Sequence, residues 1–304
     1  MTTHAAARYL AAAHGATVLQ AGADRTVTAA APDREAGPGA LAGVSPAGLA
    51  SDPGRVAAFA GALLVVPLGT DVAGVDAACT VAAAAVPKLV FGVAVVLCLP
   101  ELLGERWPAL GEPPVHPDAV VDPTATLACG VVIGAGVVVE AGASVGPNTV
   151  LAHTTVEAGA TVGANCSVGL DGFGFERDAA GALVRFPHVG RVRIAAGASV
   201  GSNTCIDRAA LGETVVGRGA KVDNLVHVAH NVRIGEDSLV IAHAMLGGSV
   251  RVGARAWIAP SAAVINQATV GDDAVVGLGA VVIRSVAAGE TVAGNPARPI
   301  ARPT

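Results

Sequence analysis

Charged and aromatic residues are scarce in this 304-residue chain: Asp, Glu, Lys and Arg make up 14% of it and aromatic residues 3%. Globular chains usually contain about 25% charged residues, so the low value raises the question of a membrane protein. The wholly apolar run of residues 89–99 is far shorter than the roughly twenty residues that a membrane-spanning helix needs. The first fifteen residues also lack the continuous hydrophobic segment of a signal peptide. We therefore expect neither a membrane span nor a signal peptide.

An excess of positive charge is absent as well, since the formal net charge is −5. Phosphate binding depends on clustered Lys and Arg, so we expect no nucleic-acid partner. The five cysteines are odd in number and lack CxxC spacing, which indicates free thiols in a reduced, cytoplasmic protein. No P-loop, no GxGxxG motif after a strand and no GxSxG motif occurs, so nucleotide-dependent phosphoryl transfer and serine hydrolysis are unsupported.

Branched aliphatic residues, in contrast, recur at every sixth position over a long stretch. Helical faces recur about every 3.6 residues and strand faces about every 2, so a period of six fits neither. It is typical of hexapeptide repeats that wind into a parallel β-helix, with six residues on each side and eighteen in each coil. The uninterrupted series is Val216, Val222, Val228, Ile234, Val240, Leu246, Val252, Ile258, Val264, Val270, Val276 and Val282.

The repeat also divides the chain. It begins at Val115, slips by one residue after Leu151, is interrupted and resumes at Ile194. We predict a small α/β domain over 1–106 as the candidate acceptor-binding domain and a linker over 107–114. The β-helix follows over 115–285 with a loop insertion over 170–191, and a short tail over 286–304. The predicted fold class is therefore mostly β.

The N-terminal segment shows shorter patterns. Residues 3–14 predict a helix, and apolar runs at 26–31, 62–67 and 79–81 predict strands separated by turns rich in Pro, Gly and Asp. Residues 87–99 fit either a second helix or a buried strand.

The insertion contains three of the five phenylalanines of the chain, Phe173, Phe175 and Phe186, and also His188. Such aromatic residues can cover the side of a solenoid. They can equally line a pocket, because insertions in repeat proteins tend to gather on one functional face.

Polar residues concentrate in one half-coil, residues 221–231. His230 lies two positions after Val228, and Gly248 lies two positions after Leu246, eighteen residues further on. Gly248 should therefore stack one coil from His230. A neutral imidazole can act as general base near pH 7, and a glycine amide beside it can stabilise an oxyanion. The alternative is a hydrogen-bonded surface histidine.

Three histidines, His227, His230 and His243, raise the possibility of a zinc site. His227 and His230 are three residues apart, and an extended strand would direct them to opposite faces. We therefore predict no metal site.

Three motifs together resemble one family. They are GLDGFGF (169–175) with PHVGRV (187–192), SNTCIDRA (202–209) and VDNLVHVAHNVRIG (222–235). The combination resembles the UDP-3-O-acylglucosamine N-acyltransferases. This resemblance implies a left-handed β-helix and a homotrimer with active sites between subunits. It implies transfer of a 3-hydroxyacyl chain from acyl carrier protein to a sugar amine, with a phosphopantetheine thioester as substrate and no permanently bound cofactor.

The resemblance also implies residue roles. His230 matches the catalytic base and Gly248 the oxyanion-binding glycine. The candidate substrate-binding residues are Asp223, Asn224, His227, Asn231, His243 and Gln267. The candidate donor-binding loop contains Phe173, Phe175, Phe186 and His188.

Three departures keep alternatives open. Gln267 stands where the family has a second histidine, the segment 37–48 lacks the aromatics that grip uracil, and GNPAR (294–298) resembles the ending of CoA-dependent acetyltransferases. We predict an N-acyltransferase that uses an acyl carrier protein or CoA thioester and an amino sugar or related amine. The alternatives are an acetyl-CoA-dependent amino-sugar N-acetyltransferase and a non-catalytic trimeric binding scaffold.

Overall fold

The computed structural model describes residues 1–14, 16–31, 39–44, 46–52, 56, 59, 61–73, 75–109, 111–178 and 180–300. Of the predicted segments, residues 37, 38, 45, 110, 179 and 301–304 lie outside this set. The chain forms two compact units, one of residues 1–103 with 174–189 and one of residues 104–173 with 190–304. No helix in the described part of the chain has the length and apolar character that crossing a membrane requires.

The described part of the N-terminal unit contains a five-stranded sheet and three helices. The strands are β1 Thr17–Gln20, β2 Ala29–Ala30, β3 Ala40–Gly43, β4 Leu63–Pro67 and β5 Thr80–Ala84, and the helices are α1 Thr3–His14, α2 Pro46–Ser51 and α3 Pro87–Cys98, followed by the 3₁₀ turn Pro100–Leu102. The strand order is β1-β5-β4-β3-β2, and only β1 is antiparallel to its neighbour. The central strands β4 and β5 are almost completely buried, as expected for parallel strands covered on both faces.

Helix α3 resolves the ambiguity of residues 87–99. Pro87 begins the helix, where its missing N–H removes no helical hydrogen bond. The buried residues Val90, Phe91, Ala94, Val95 and Cys98 follow the spacing of one helical face. The helices and strands predicted for this segment are confirmed.

Part of the insertion forms a β-hairpin that belongs to the same unit. Strands β15 (Phe175–Arg177) and β16 (Leu183–Arg185) pair antiparallel. Phe186 stacks on Phe91 of α3 with ring centroids 6.1 Å apart, and Lys88 forms an ion pair with Glu176. Aromatic packing and one ion pair therefore hold the hairpin on α3.

The second unit is the predicted β-helix, with three parallel sheets whose strands are mostly two residues long. Sheet I contains β7 Thr126–Leu127, β10 Ser144–Val145, β13 Thr161–Val162, β18 Ser199–Val200, β21 Lys221–Val222, β24 Leu239–Val240, β27 Trp257–Ile258, β30 Val275–Val276, β32 Thr291–Ala293 and the antiparallel edge strand β33 Arg298–Pro299. Sheet II contains β8 Val132–Ile133, β11 Val150–Leu151, β14 Ser167–Asp171, β19 Cys205–Arg208, β22 His227–Val228, β25 Met245–Leu246, β28 Ala263–Val264 and β31 Val281–Val282. Sheet III contains β6 Val120–Val121, β9 Val138–Val139, β12 Thr154–Val156, β17 Arg191–Ile194, β20 Glu213–Val216, β23 Arg233–Ile234, β26 Arg251–Val252 and β29 Thr269–Val270.

The six-residue period sets this register. In each two-residue strand of the uninterrupted series, the aliphatic residue points inward and is buried, and its neighbour points outward. Consecutive coils stack at eighteen residues, so that Val228 pairs with Leu246 and Leu246 with Val264. The fold class is the predicted left-handed parallel β-helix preceded by a small α/β domain.

Turns at two edges of sheet II are used below. The corner I–II joins sheets I and II and includes residues 223–226 and 241–244. The corner II–III joins sheets II and III and includes residues 229–232, 247–250 and 265–268. Asn231, Ser249 and Gln267 occupy the same left-handed position in successive coils of corner II–III, with φ of 61°, 63° and 65°.

Candidate active site

His230 lies in corner II–III, where Asn231 holds it by a dense set of hydrogen bonds. The Asn231 backbone N–H donates to Thr214 Oγ1 at 2.8 Å. Its side-chain Nδ2 donates to the Leu211 carbonyl at 2.7 Å, and its Oδ1 accepts from the Ala210 N–H at 3.0 Å. These contacts fix which end of the amide is oxygen and which is nitrogen.

The oriented amide determines the tautomer of His230. Nδ1 of the imidazole lies 3.1 Å from Asn231 Oδ1, which can only accept. Nδ1 must therefore carry the proton, and the lone pair lies on Nε2. This is the tautomer in which Nε2 can take a proton from an incoming group.

Gly248 lies against the Nε2 side of that ring. The stacking of Val228 on Leu246 aligns the two corners, and the Ser249 N–H donates to the His230 carbonyl at 2.9 Å. A Cβ atom on Gly248 would lie 2.7 Å from His230 Nε2. Gly248 therefore stacks one coil from His230, as the eighteen-residue spacing predicts, and only glycine leaves room for the ring.

The amide of Gly248 occupies a position that other coils cap with a side chain. Two residues after the buried aliphatic, the backbone N–H donates in several other coils to a carboxylate, amide or hydroxyl oxygen of an adjacent coil. Examples are Ala242 to Asp223 at 3.2 Å, Ala254 to Asp272 at 2.9 Å and Ser202 to Asn224 at 2.7 Å. At Gly248 the side chain in the adjacent coil is the His230 imidazole. A backbone donor therefore lies beside a base, which is the pairing that acyl transfer uses.

Asp223, Asn224 and His243 lie in corner I–II, on the other side of sheet II from His230. Asp223 Oδ1 accepts from the Asn224 N–H at 2.8 Å, in addition to the contact of Oδ2 with Ala242. His243 is exposed in the next coil with φ of 63°. Within one chain the structure does not bring these three residues together with His230.

Gln267 and His227 lie nearer to His230. Gln267 is exposed in corner II–III of the coil that follows Gly248, and its N–H donates to the Gly248 carbonyl at 2.8 Å. His227 points outward from β22. Strand β22 ends at Val228, so His230 lies in a turn where the alternation of an extended strand no longer applies. The expectation that His227 and His230 project to opposite faces therefore does not hold.

Asp207, in strand β19, is a candidate site residue that the sequence did not identify. Its Oδ2 lies 3.9 Å from His227 Nε2. Burial raises the pKa of this carboxyl, and the imidazoles of His227 and His230 lower it. Both rings therefore lie within electrostatic reach of one half-buried carboxylate. The coil between Ile206 and Val228 is twenty-two residues long, so an eighteen-residue spacing does not place Asp207 beside His227 and His230.

The four residues of the predicted donor-binding loop differ in exposure. Phe173 is 84% exposed and Phe175 is 38% exposed, whereas Phe186 and His188 are buried in the N-terminal unit. The rings of Phe186 and His188 meet edge to face at 6.5 Å. The structure thus gives Phe186 and His188 a packing role, and leaves the two exposed phenylalanines as candidates for ligand contact.

No group of three or more His, Cys, Asp and Glu side chains among the described residues is arranged to hold a metal ion.

Comparison with solved structures finds acyltransferases of low similarity. LpxA from Acinetobacter baumannii is 18% identical with a TM-score of 0.49, covering 62% of this chain and 74% of that one. LpxA from Bacteroides fragilis, a UDP-N-acetylglucosamine acyltransferase, is 20% identical with a TM-score of 0.46, covering 61% and 73%.

Comparison of sequences finds higher similarity. No protein-family model matches the chain. A protein of Caulobacter sp. strain K31 is 40% identical over 131 residues, which are 43% of this chain and 38% of the relative. One of Nitratidesulfovibrio vulgaris is 47% identical over 129 residues, 42% of this chain and 37% of the relative. The chain thus spans little more than a third of the length of these relatives. Both are named UDP-3-O-acylglucosamine N-acyltransferase, so the resemblance carried by the sequence motifs is confirmed over that part of the chain.

Proposed function

We propose that the chain is an N-acyltransferase that moves an acyl group from a phosphopantetheine thioester to the primary amine of an amino sugar or a related amine. The observation that carries this proposal is the His230 imidazole, oriented by Asn231 and facing the backbone of Gly248. The names of the curated relatives support it.

In this mechanism the amine nitrogen attacks the thioester carbonyl carbon and His230 Nε2 takes the amine proton. The Gly248 N–H donates to the oxyanion of the tetrahedral intermediate. When that intermediate collapses, the C–N bond remains and the C–S bond breaks. The imidazolium then returns the proton to the leaving thiolate, which restores the neutral base.

The remaining predicted residues would bind the substrates in an assembly. Asp223, Asn224 and His243 lie in one corner and Gln267 in the other, so a homotrimer would let one subunit's corner I–II complete the site of its neighbour. Phe173 and Phe175 are the exposed candidates for contact with the donor, which would be acyl carrier protein or CoA. We assign acceptor binding to the N-terminal domain.

The test is acyl transfer by the purified chain. Acetyl-CoA, a longer acyl-CoA and an acyl carrier protein are each offered with glucosamine, glucosamine 1-phosphate or UDP-glucosamine, and the N-acyl product is identified by mass spectrometry. His230→Ala should lower kcat by about 10²-fold or more, the usual contribution of a general base. His116→Ala, a histidine at the start of the β-helix, is the matched control.

Three outcomes separate the alternatives. Near-full activity of His230→Ala would defeat the proposed mechanism. Activity with acetyl-CoA alone would favour the acetyltransferase. No transfer to any amine by intact oligomers would favour the binding scaffold.

A further inference from the structure

The strand β19 carries an acidic residue, Asp207, that the mechanism above does not use. Ile206 of this strand pairs with Val228, two residues before His230. The Asp207 side chain is 17% exposed and lies 3.9 Å from His227 Nε2. The carboxylate is therefore largely removed from solvent in the coil that precedes the candidate base.

The charged groups around Asp207 come from three elements. Asp171 of β14 forms an ion pair with the fully buried Arg208 at 2.6 Å, and its negative charge still adds to the effect of burial in raising the pKa of Asp207. Cys205, on the same strand as Asp207, has a raised pKa because its thiol is partly desolvated and feels the negative charge of Asp207. The positive charge that reaches Asp207 comes from the imidazoles of His227 and His230.

The hydrogen-bond partner of the His230 ring, the side chain of Asn231, is neutral and cannot balance a positive charge on the ring. Nδ1 of His230 faces the neutral amide of Asn231. When Nε2 takes a proton, the ring becomes a cation and its hydrogen-bond partner carries no compensating charge. A carboxylate within electrostatic reach would lower the energy of that cation, because charges interact more strongly where water is excluded.

We propose that Asp207 is the counter-charge for the proton that His230 takes from the acceptor amine, an inference that rests on the proposed function. Asp207 stays ionised throughout. The proton passes from the amine nitrogen to His230 Nε2 and then to the leaving sulfur, and Asp207 stabilises the intervening imidazolium through space. Asp207 makes no bond to the substrate and acts only through its electrostatic effect on His230, so it is a positioning residue.

This role has a consequence for stability. Burial raises the pKa of Asp207 above its usual value of 3.8. A carboxyl of that kind contributes stability below pH 3.8, and the contribution is lost as the pH rises through the raised pKa. At pH 7 the ionised carboxylate therefore destabilises the folded protein, and Asp207→Asn should make it more stable. A purely structural ion pair with His227 would give the opposite sign.

The experiment compares wild type with Asp207→Asn and with the matched control Asp118→Asn. Asp118 also lies 3.9 Å from a histidine nitrogen, Nδ1 of His116, outside the candidate site. We expect Asp207→Asn to lower kcat by about tenfold, with a smaller change in the KM of the acceptor. This is less than the roughly 10²–10³-fold that loss of a direct oxyanion donor costs, because Asp207 acts through space. The acidic limb of kcat should move to lower pH by about half a unit, because His230 would hold its proton less tightly. Asp118→Asn should do neither.

The same variants are unfolded by denaturant at pH 7, where Asp207→Asn should have the higher midpoint. A kcat within twofold of wild type, an unmoved acidic limb or a lower midpoint at pH 7 would each overturn the inference. If wild type transfers no acyl group, the proposed function fails on its own. The unfolding comparison needs no substrate, so it still tests whether Asp207 is held at a cost to stability.

Discussion

The two corners that flank sheet II have the same backbone conformation, but their polar side chains make different contacts. Leu225 in corner I–II and Asn231 in corner II–III adopt φ of 59° and 61°. In corner I–II the oxygens of Asp223 and Asn224 accept from backbone N–H groups of their own and adjacent coils. In corner II–III the contacts of Asn231 orient an imidazole against a glycine. Within one sequence motif, the polar residues of corner I–II thus stabilise the backbone, whereas those of corner II–III form the candidate catalytic site. Each variant below tests that difference.

The largest effect is expected from Gly248→Ala. The added Cβ would lie 2.7 Å from His230 Nε2, so the ring must move from its position. We expect kcat to fall by about 10²-fold or more, comparable with loss of the base. Steady-state kinetics with the active donor and acceptor measure this.

Gly277→Ala is the control, because its added Cβ would lie 3.1 Å from the Ala293 Cβ in another corner of the same β-helix. Its kcat should remain within about twofold of wild type. Equal losses in both variants would mean that the effect comes from the scaffold and not from the site.

A smaller loss is expected from Asn231→Gly. Glycine keeps the left-handed backbone but removes the oxygen that fixes the proton on Nδ1 of His230. We expect kcat to fall by about tenfold, as for other groups that orient a catalytic side chain. Ser249→Gly makes a similar change at the same position one coil further on and should leave kcat nearly unchanged. If both variants keep full activity, Asn231 does not orient the base.

Asp223→Ala tests the supporting corner. It removes the acceptor of the Ala242 and Asn224 backbone N–H groups. We expect the free energy of unfolding to fall by about 1.5–3 kcal/mol, the usual contribution of hydrogen bonds to a charged group. His230→Ala, measured by the same denaturant titration, should change it by less. The reverse order of the two effects would contradict the assignment of the corners.

The sequence predicted what depends on regular spacing. The six-residue period gives the parallel β-helix and places Gly248 one coil from His230, because the coils between Val216 and Val282 are eighteen residues long. The period does not extend to Asp207, since the segment between Ile206 and Val216 adds four residues to that coil. The sequence also could not predict which phenylalanines of the insertion are exposed. Phe186 and Phe173 are the same residue type in the same insertion, but Phe186 packs on Phe91 and Phe173 is exposed.

The smallest expected effect comes from His153, a histidine in the same column of corners as His230. Its Nε2 donates to the Gly104 carbonyl at 2.8 Å. Burial lowers the pKa of this imidazole below its usual 6.5, and the charge of Arg208 lowers it further. The folded protein therefore binds a proton at His153 less readily than the unfolded chain. Its contribution to stability is present above pH 6.5 and is lost as the pH falls below that value.

His153→Gln keeps a donor for the Gly104 carbonyl and removes the titration. Gln is compatible with the φ of 45° at this position, since Gln267 adopts 65°. Thermal unfolding of both proteins should coincide at pH 8, and at pH 5 the variant should have the higher Tm by about 2 °C. Parallel curves at every pH would show that His153 is not held in its neutral form. A loss of acyl transfer in His153→Gln would be more serious, because it would mean that His153, and not only His230, takes part in the reaction.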